Sequence, residues 1–383
     1  MKIKRPLVLG VAAGIVLSTV AVVTPAFADP VANSYAIVGS DTLQASVDAL
    51  TNGTDVTGAR VRVVAPAGTI GNFDAFAPGF NVAGGVIQTK PAGVSFPRPS
   101  GSGNGVLALL ASINNTTFTQ NGVTSAKSIG GQVDIARSSA KPKTEVADGI
   151  LAWVPYARDA VAYAYVGGSA ADESHVANLS KSQLNAIYTA TSDQALSGTT
   201  VKAYLPQSGS GTRNFFLAAL GITGNPGTAV FTNNETLAEN DATVFPTTVP
   251  AGTAYIVPFS AANWIAQSNG AAPSTIPASG AVKLGSPLAA AAFTTDSGTG
   301  ALLPNATYYS DSTWGRDTYL VVERARITSG NAKYDANLAN LLNPSRSNSL
   351  VNMSASASSP GGVKRLFGFL TVSDTTPLYS NTK

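Results

Sequence analysis

The sequence predicts an α/β protein built as two lobes. Three observations lead there. Short apolar runs of strand character alternate with segments of helical spacing. At 383 residues the chain exceeds what one core usually serves. Loops rich in glycine and hydroxyls recur where strands run into helices. The expected strands are Tyr35–Val38, Val61–Ala65, Val133–Ala136, Leu151–Pro155, Ala160–Val166, Val201–Leu205, Ala254–Pro258 and Thr318–Val322. Helical spacing appears in Leu43–Leu50, Val106–Ile113, Gln183–Tyr188, Asn214–Leu220 and Ala261–Gln267, and Ser180-Lys181-Ser182-Gln183 reads as a capping box. Such alternation predicts sheets covered by helices, with ligands gathered at the carboxyl ends of the strands.

The first residues speak to compartment. Lys2, Lys4 and Arg5 precede an apolar stretch from Leu7 to Val23, and Ala26-Phe27-Ala28 precedes Asp29. That is the layout of a secretory signal peptide over residues 1–28, with cleavage after Ala28. A retained membrane anchor is the rival; two glycines in the stretch and the small-x-small site favour cleavage. The chain has no cysteine, so it must stand on its core and offers no lipid-attachment thiol. A secreted or extracytoplasmic location is expected.

The chain carries 24 Lys+Arg and 21 Asp+Glu. Without Lys2, Lys4 and Arg5 the balance is 21 against 21, so anion capture must be local and a broad nucleic-acid surface is disfavoured. One histidine and no cysteine make a transition-metal site a poor expectation, and nothing calls for a cofactor.

Four junctions share a chemistry suited to anions. Gly39-Ser40-Asp41-Thr42 follows the first strand. Gly101-Ser102-Gly103-Asn104-Gly105 opens a helix, as does Ser208-Gly209-Ser210-Gly211-Thr212-Arg213, and Arg137-Ser138-Ser139 ends a strand. A helix start leaves backbone N–H groups unpaired and carries partial positive charge; glycine allows close approach and hydroxyls add donors. Any one such turn reads equally as an ordinary helix cap. The candidate ligand-binding residues are Ser40, Asp41, Thr42, Ser102, Arg137, Ser138, Ser139, Ser210, Gly211, Thr212 and Arg213. Arg137 and Arg213 would offer charge-assisted bonds to an oxyanion, or else serve as solvated or salt-bridged arginines. Asp41 would accept the proton that phosphate keeps and sulfate lacks, or else cap the helix.

At these residues the chain resembles the phosphate-binding members of the type II periplasmic-binding-protein superfamily. Ser208-Gly209-Ser210-Gly211-Thr212 resembles the family's Ser-Gly-Thr anion loop. Gly39–Thr42 and Gly101–Val106 are similar to its first and second loops, and Val154–Ala162 to its crossover into the second lobe. The family often has an arginine before Ser-Gly-Thr, where this chain has Pro206 and Gln207. Its aspartate in the short-strand loop is Ser138 or Ser139 here. The resemblance implies a two-lobed type II periplasmic-binding-protein fold with lobes of residues 29–159 with 318–383, and 160–317, a ligand cleft between them, and hinge closure around the ligand. It also implies capture of phosphate or a similar oxyanion by a monomeric receptor serving an ABC importer membrane complex.

Two other functions are open: a secreted phosphatase-like enzyme and a cell-surface adhesin on the same fold. No Gly-x-Ser-x-Gly elbow centres on Ser40, Ser102 or Ser210, and the one histidine, His175, is expected in an exposed loop, which argues against a serine triad and for a protein that is not an enzyme.

Overall fold

The structure is a computed structural model. It describes residue 30 and residues 33–56, 58–66, 68–77, 84–232, 237–288 and 290–383. The expected signal peptide lies outside the described residues. In chain order, the elements that position the site begin with β1 (Tyr35–Gly39), α1 (Gln44–Asn52), β2 (Ile70–Asn72) and α2 (Gly101–Ile113). They continue with β3 (Ile135–Ser138), β4 (Leu151–Gly167), α3 (Ala170–Val176), α4 (Lys181–Thr189), β5 (Gln194–Leu196) and β6 (Thr199–Leu205). The last are α5 (Gly211–Leu220), β7 (Thr253–Ser260), α6 (Ala261–Ser268) and β8 (Gly315–Glu323).

The main path of the sheet runs β5-β6-β7-β4-β8-β3-β1-β2. At one end β2, β1 and β3 are parallel; at the other, β6 and β7 are parallel. Between them the long strands β4 and β8 pair antiparallel. Each parallel set therefore aims the carboxyl ends of its strands at loops, where open α/β sheets bind ligands. This is the α/β class the alternation predicts.

The two expected strands Leu151–Pro155 and Ala160–Val166 are one strand of 17 residues. Their polar gap does not break the strand, because β8 pairs along it, with a register shift between Pro155 and Ala157. β4 serves two sets of cores. Ala152, Val154 and Tyr156 pack with β1, α1 and the C-terminal segment, while Ala160–Tyr163 pack with α4, β6 and α5. Such a strand, buried on both faces, reads as a continuous apolar run rather than an alternation.

Other expectations shift at their edges. Val61–Ala65 is not a strand: Val61 closes the short hairpin strand Ala59–Val61, and Ala65 makes only an isolated bridge to Gly68. The helix expected from Val106 starts at Gly101, because the glycine- and serine-rich loop forms its first turn without apolar residues to announce it. The capping box is present, with Ser180 accepting from the Gln183 amide and the Gln183 side chain accepting from the Ser180 amide. His175 is not in an exposed loop. It lies on α3 and bonds Thr199 Oγ1 at 2.9 Å, and Thr199 in turn donates to Asp172 at 2.6 Å.

Candidate functional site

The loops after β1, β3 and β6 and the start of α2 converge on one buried polar cluster. Ser40, at the end of β1, and Ser139, just after β3, bring their hydroxyls within 3.3 Å. Ser102, in the first turn of α2, sits 3.2 Å from the Ser139 hydroxyl and accepts from the Ser139 amide at 3.0 Å. Thr212, in the first turn of α5, approaches Thr42 to 3.4 Å, oxygen to oxygen. All these residues are buried. Hydroxyls from the two ends of the sheet thus face each other across a closed seam.

Two glycines make the closure possible. A Cβ on Gly211 would strike the hydroxyls of Ser102 and Ser139, so only a bare α-carbon lets α5 seat there. Gly101 holds φ at 77°, and a Cβ would collide with Gly209 O. The Gly103 amide donates to that same carbonyl at 3.1 Å.

Glu239 lies at the centre of the cluster. It is 3% exposed, so its hydrogen bonds rather than water must satisfy its carboxylate. Oε1 accepts from the Gly211 amide at 2.7 Å, at the positive start of α5. Oε2 accepts from Thr42 at 2.7 Å, Thr212 at 3.2 Å and Ser40 at 3.4 Å. The neighbouring Asn240 fixes this segment. It adopts φ 56°, a left-handed conformation asparagine tolerates, donates to Thr42 Oγ1 at 3.2 Å and accepts from the Ser260 amide at 2.8 Å.

The charge that faces the cradle comes from Arg316 on β8. Its Nε and Nη2 donate to Asp159 Oδ2 at 3.0 and 2.8 Å, and Nη2 also donates to Thr212 Oγ1 at 3.0 Å. Asp159 and Arg316 stand opposite each other in the β4–β8 register, so the pair bridges the two strands that run between the cores. Asp159 also accepts from Ser260 Oγ at 2.9 Å and from the Ala262 amide at 3.1 Å. Nη1 of Arg316 is buried without a hydrogen-bond partner among the described residues.

Asp41 is half-buried as a residue, but its Oδ1 is covered and without a hydrogen-bond partner among the described residues. Burial pushes its carboxyl well above the usual range, and the charge of Glu239 and a hydrogen bond to it push the same way. Both effects disfavour the charged form of Asp41 beside Glu239. A buried carboxyl next to another cannot ionise cheaply.

Several candidates fall elsewhere than the loop reading expects. Arg137 is fully buried, but its guanidinium lies beneath the first loop rather than facing the cradle. Nε donates to Ser40 O at 2.7 Å; Nη2 donates to Gly39 O at 3.0 Å and Phe73 O at 2.9 Å; Nη1 donates to Asn72 Oδ1. Burial lowers it to about 10, against the raising charges of Asp48, Asp74 and Asp41. The expectation of a ligand-facing Arg137 is corrected to that of a loop brace, because four acceptors already face its donors. Arg213 likewise braces its own loop, Nη1 donating to Pro206 O at 2.9 Å. Ser210 caps α5, its hydroxyl accepting from the Arg213 amide at 2.9 Å. Ser138 donates to Ala140 O at 2.7 Å and lines the cleft outside. Ser40, Asp41, Thr42, Ser102, Ser139, Gly211 and Thr212 are brought together. Glu239, Arg316 and Asp159 are the residues that loop reading missed.

Outside the seam lies a cleft of about 790 Å³, walled in part by Ser102, Gly211 and Arg316. Lys141, Lys143, Lys181 and Lys383 also line it, while Arg158 there is paired with Asp317 at 3.1 Å. Four lysines thus gather on one cleft although the chain's total charge is nearly balanced. His175 is remote from all this. Its partner Thr199 begins β6, at the opposite end of that strand from the loop leading to Ser210.

The family model described as the PBP superfamily domain matches residues 73–339. No curated protein matches the chain. Among solved structures, it is similar to an ABC-type phosphate transport receptor from Vibrio cholerae, with 14% identity, a TM-score of 0.46, and 88% of this chain and 100% of that chain covered. A putative phosphate ABC transporter substrate-binding protein with bound phosphate, from Clostridium perfringens, shows 12% identity, a TM-score of 0.48, and coverage of 88% and 99%. A phosphate-binding protein from Stenotrophomonas maltophilia shows 14%, 0.43, and 89% and 91%.

Proposed function

This chain belongs to the PBP superfamily, and we propose that it is an exported receptor which captures a small oxyanion, phosphate first among them, between its lobes. The observation that carries the reading is the convergence of four donors, from the loop after β1 and the start of α5, on the two oxygens of a single carboxylate. The Gly211 amide and the hydroxyls of Ser40, Thr42 and Thr212 make that convergence, with Arg316 beside them. Donors arranged so can hold the oxygens of a free anion by the same bonds. The lysines of the cleft raise the anion's local concentration at the entrance.

Phosphate is favoured over sulfate by the carboxyls. Asp41 and Glu239 lie side by side, and an anion entering there is tolerated best when it brings a proton to share. The lobes of the reading are residues 29–159 with 318–383, and 160–317. They hinge where β4 and β8 cross between the cores, on either side of the Asp159–Arg316 pair. Delivery to an ABC importer and export by the N-terminal segment belong to the same reading. The Glu239 carboxylate also favours a second one, a closed relative kept for a surface role.

Isothermal titration of the purified chain with phosphate and sulfate at one ionic strength decides between them. The receptor reading expects one site per chain, filled by phosphate at lower concentration than by sulfate, with no turnover of a phosphate ester. Heat-silent titrations with every oxyanion tried would reject it in favour of the surface role.

A further inference from the structure

We infer that the Glu239 carboxylate is a built-in occupant of the oxyanion cradle, so that a free anion is taken up by exchange with it. The inference rests on the receptor reading above and deepens it: Glu239 becomes the residue that sets affinity and selectivity.

The geometry is that of a ligand rather than of a cradle wall. A wall would offer donors to an anion. Glu239 offers only acceptor oxygens, and four cradle donors, Ser40, Thr42, Thr212 and the Gly211 amide, bond to them. One of its two shortest bonds comes from the Gly211 amide at the start of a ten-residue helix, where an anion is favoured. Arg316 is oriented by Asp159 onto the cradle hydroxyl of Thr212 and keeps Nη1 without a partner among the described residues, as does Asp41 its Oδ1. The orphaned Nη1 is a donor that a larger oxyanion, with more oxygens than a carboxylate, would satisfy, and the orphaned Oδ1 would accept from an oxyanion that carries a proton.

Glu239 also does mechanically what a ligand does. Its backbone lies in the segment that precedes β7, and the Gln207 amide donates to Leu237 O at 3.0 Å, so the segment is tied to the loop after β6. Its carboxylate reaches across to Ser40 and Thr42, which follow β1. One side chain thereby bonds loops from both ends of the sheet and holds the seam closed. Ligand-driven closure in a two-lobed receptor uses the same kind of bridge. An internal bridge lowers apparent affinity by the fraction of time it is in place, and it discriminates against any anion too weak to displace it.

The test replaces the occupant. The full chain and its Glu239→Ala and Glu239→Gln variants are melted, and their radii measured by small-angle scattering, in chloride buffer with sodium formate or sodium phosphate added at fixed ionic strength. Glu239→Ala is expected to melt several degrees lower and to be more open, and both anions should restore it. Its response should come at concentrations at least tenfold below those acting on the parent chain. Glu239→Gln still fills the space but is uncharged. It should stay closed, ignore formate, and bind phosphate more tightly than the parent because a neutral occupant is easier to displace. Rescue by formate without rescue by phosphate would uphold the inference and reject phosphate as the ligand. An alanine variant no more responsive to either anion than the parent overturns it, whatever the parent itself binds. If the alanine variant does not fold, a glutamine variant with unchanged phosphate affinity overturns it equally.

Discussion

Arg137 and Arg316 make an instructive pair. Both are buried arginines on strands that feed the same cluster, and their chemistry is identical. Arg137 has its donors on three backbone carbonyls and an asparagine oxygen, so it fixes the path of the first loop. Arg316 has Asp159 on one side, a cradle hydroxyl on another, and one nitrogen without a partner among the described residues. What separates a structural arginine from one that can meet a ligand is therefore the identity of its acceptors. Backbone carbonyls cannot leave; a hydroxyl and an orphaned N–H can be turned to an incoming anion.

That contrast can be broken by mutation. Arg137→Leu should have the largest effect, since it strands several buried carbonyls at once. A loss of about 3–5 kcal/mol in folding stability is expected, read by urea denaturation in the absence of any anion. A loss below about 1 kcal/mol would mean the loop holds itself. Arg316→Lys should act on binding instead. Lysine can still pair with Asp159 but cannot present a fork to Thr212 and an anion together. Phosphate affinity should fall about tenfold to a hundredfold, the equivalent of about 1.5–3 kcal/mol for bonds to a charged group, with a smaller change in stability. If stability falls and affinity does not, the two arginines play one role. Arg213→Ala should do least. With its guanidinium braced on Pro206 O, affinity is expected to change by no more than about threefold, or about 0.6 kcal/mol. A hundredfold loss in titration would return Arg213 to the site.

The cradle loops were legible because their signal is local. Glycine and hydroxyl residues between a strand and a helix state a chemistry that needs no distant partner, and Ser40, Thr42, Ser102, Ser139, Gly211 and Thr212 do meet. Arg137 and Arg213 looked equivalent to any arginine beside such a loop, since no local pattern tells which way a long side chain turns. A signal for Arg316 and Asp159 was available. Each is a charge within or beside an apolar strand, where burial is costly unless a partner is present, and that asks for a pair between them. For Glu239 there was none. Leu237-Ala238-Glu239-Asn240-Asp241 has no periodicity and no motif.

By itself, then, the sequence determined the alternation of strands and helices and the positions of the donor loops, both of which depend on neighbours along the chain. Tertiary structure alone decided what those donors face. Glu239 meets Ser40 and Thr42 from about two hundred residues away, and Asp159 meets Arg316 through the register of two long strands. Contacts of that separation are set by how sheets pair and close, because the free energy of placing a buried charge is settled by whichever partners the fold brings within bonding distance.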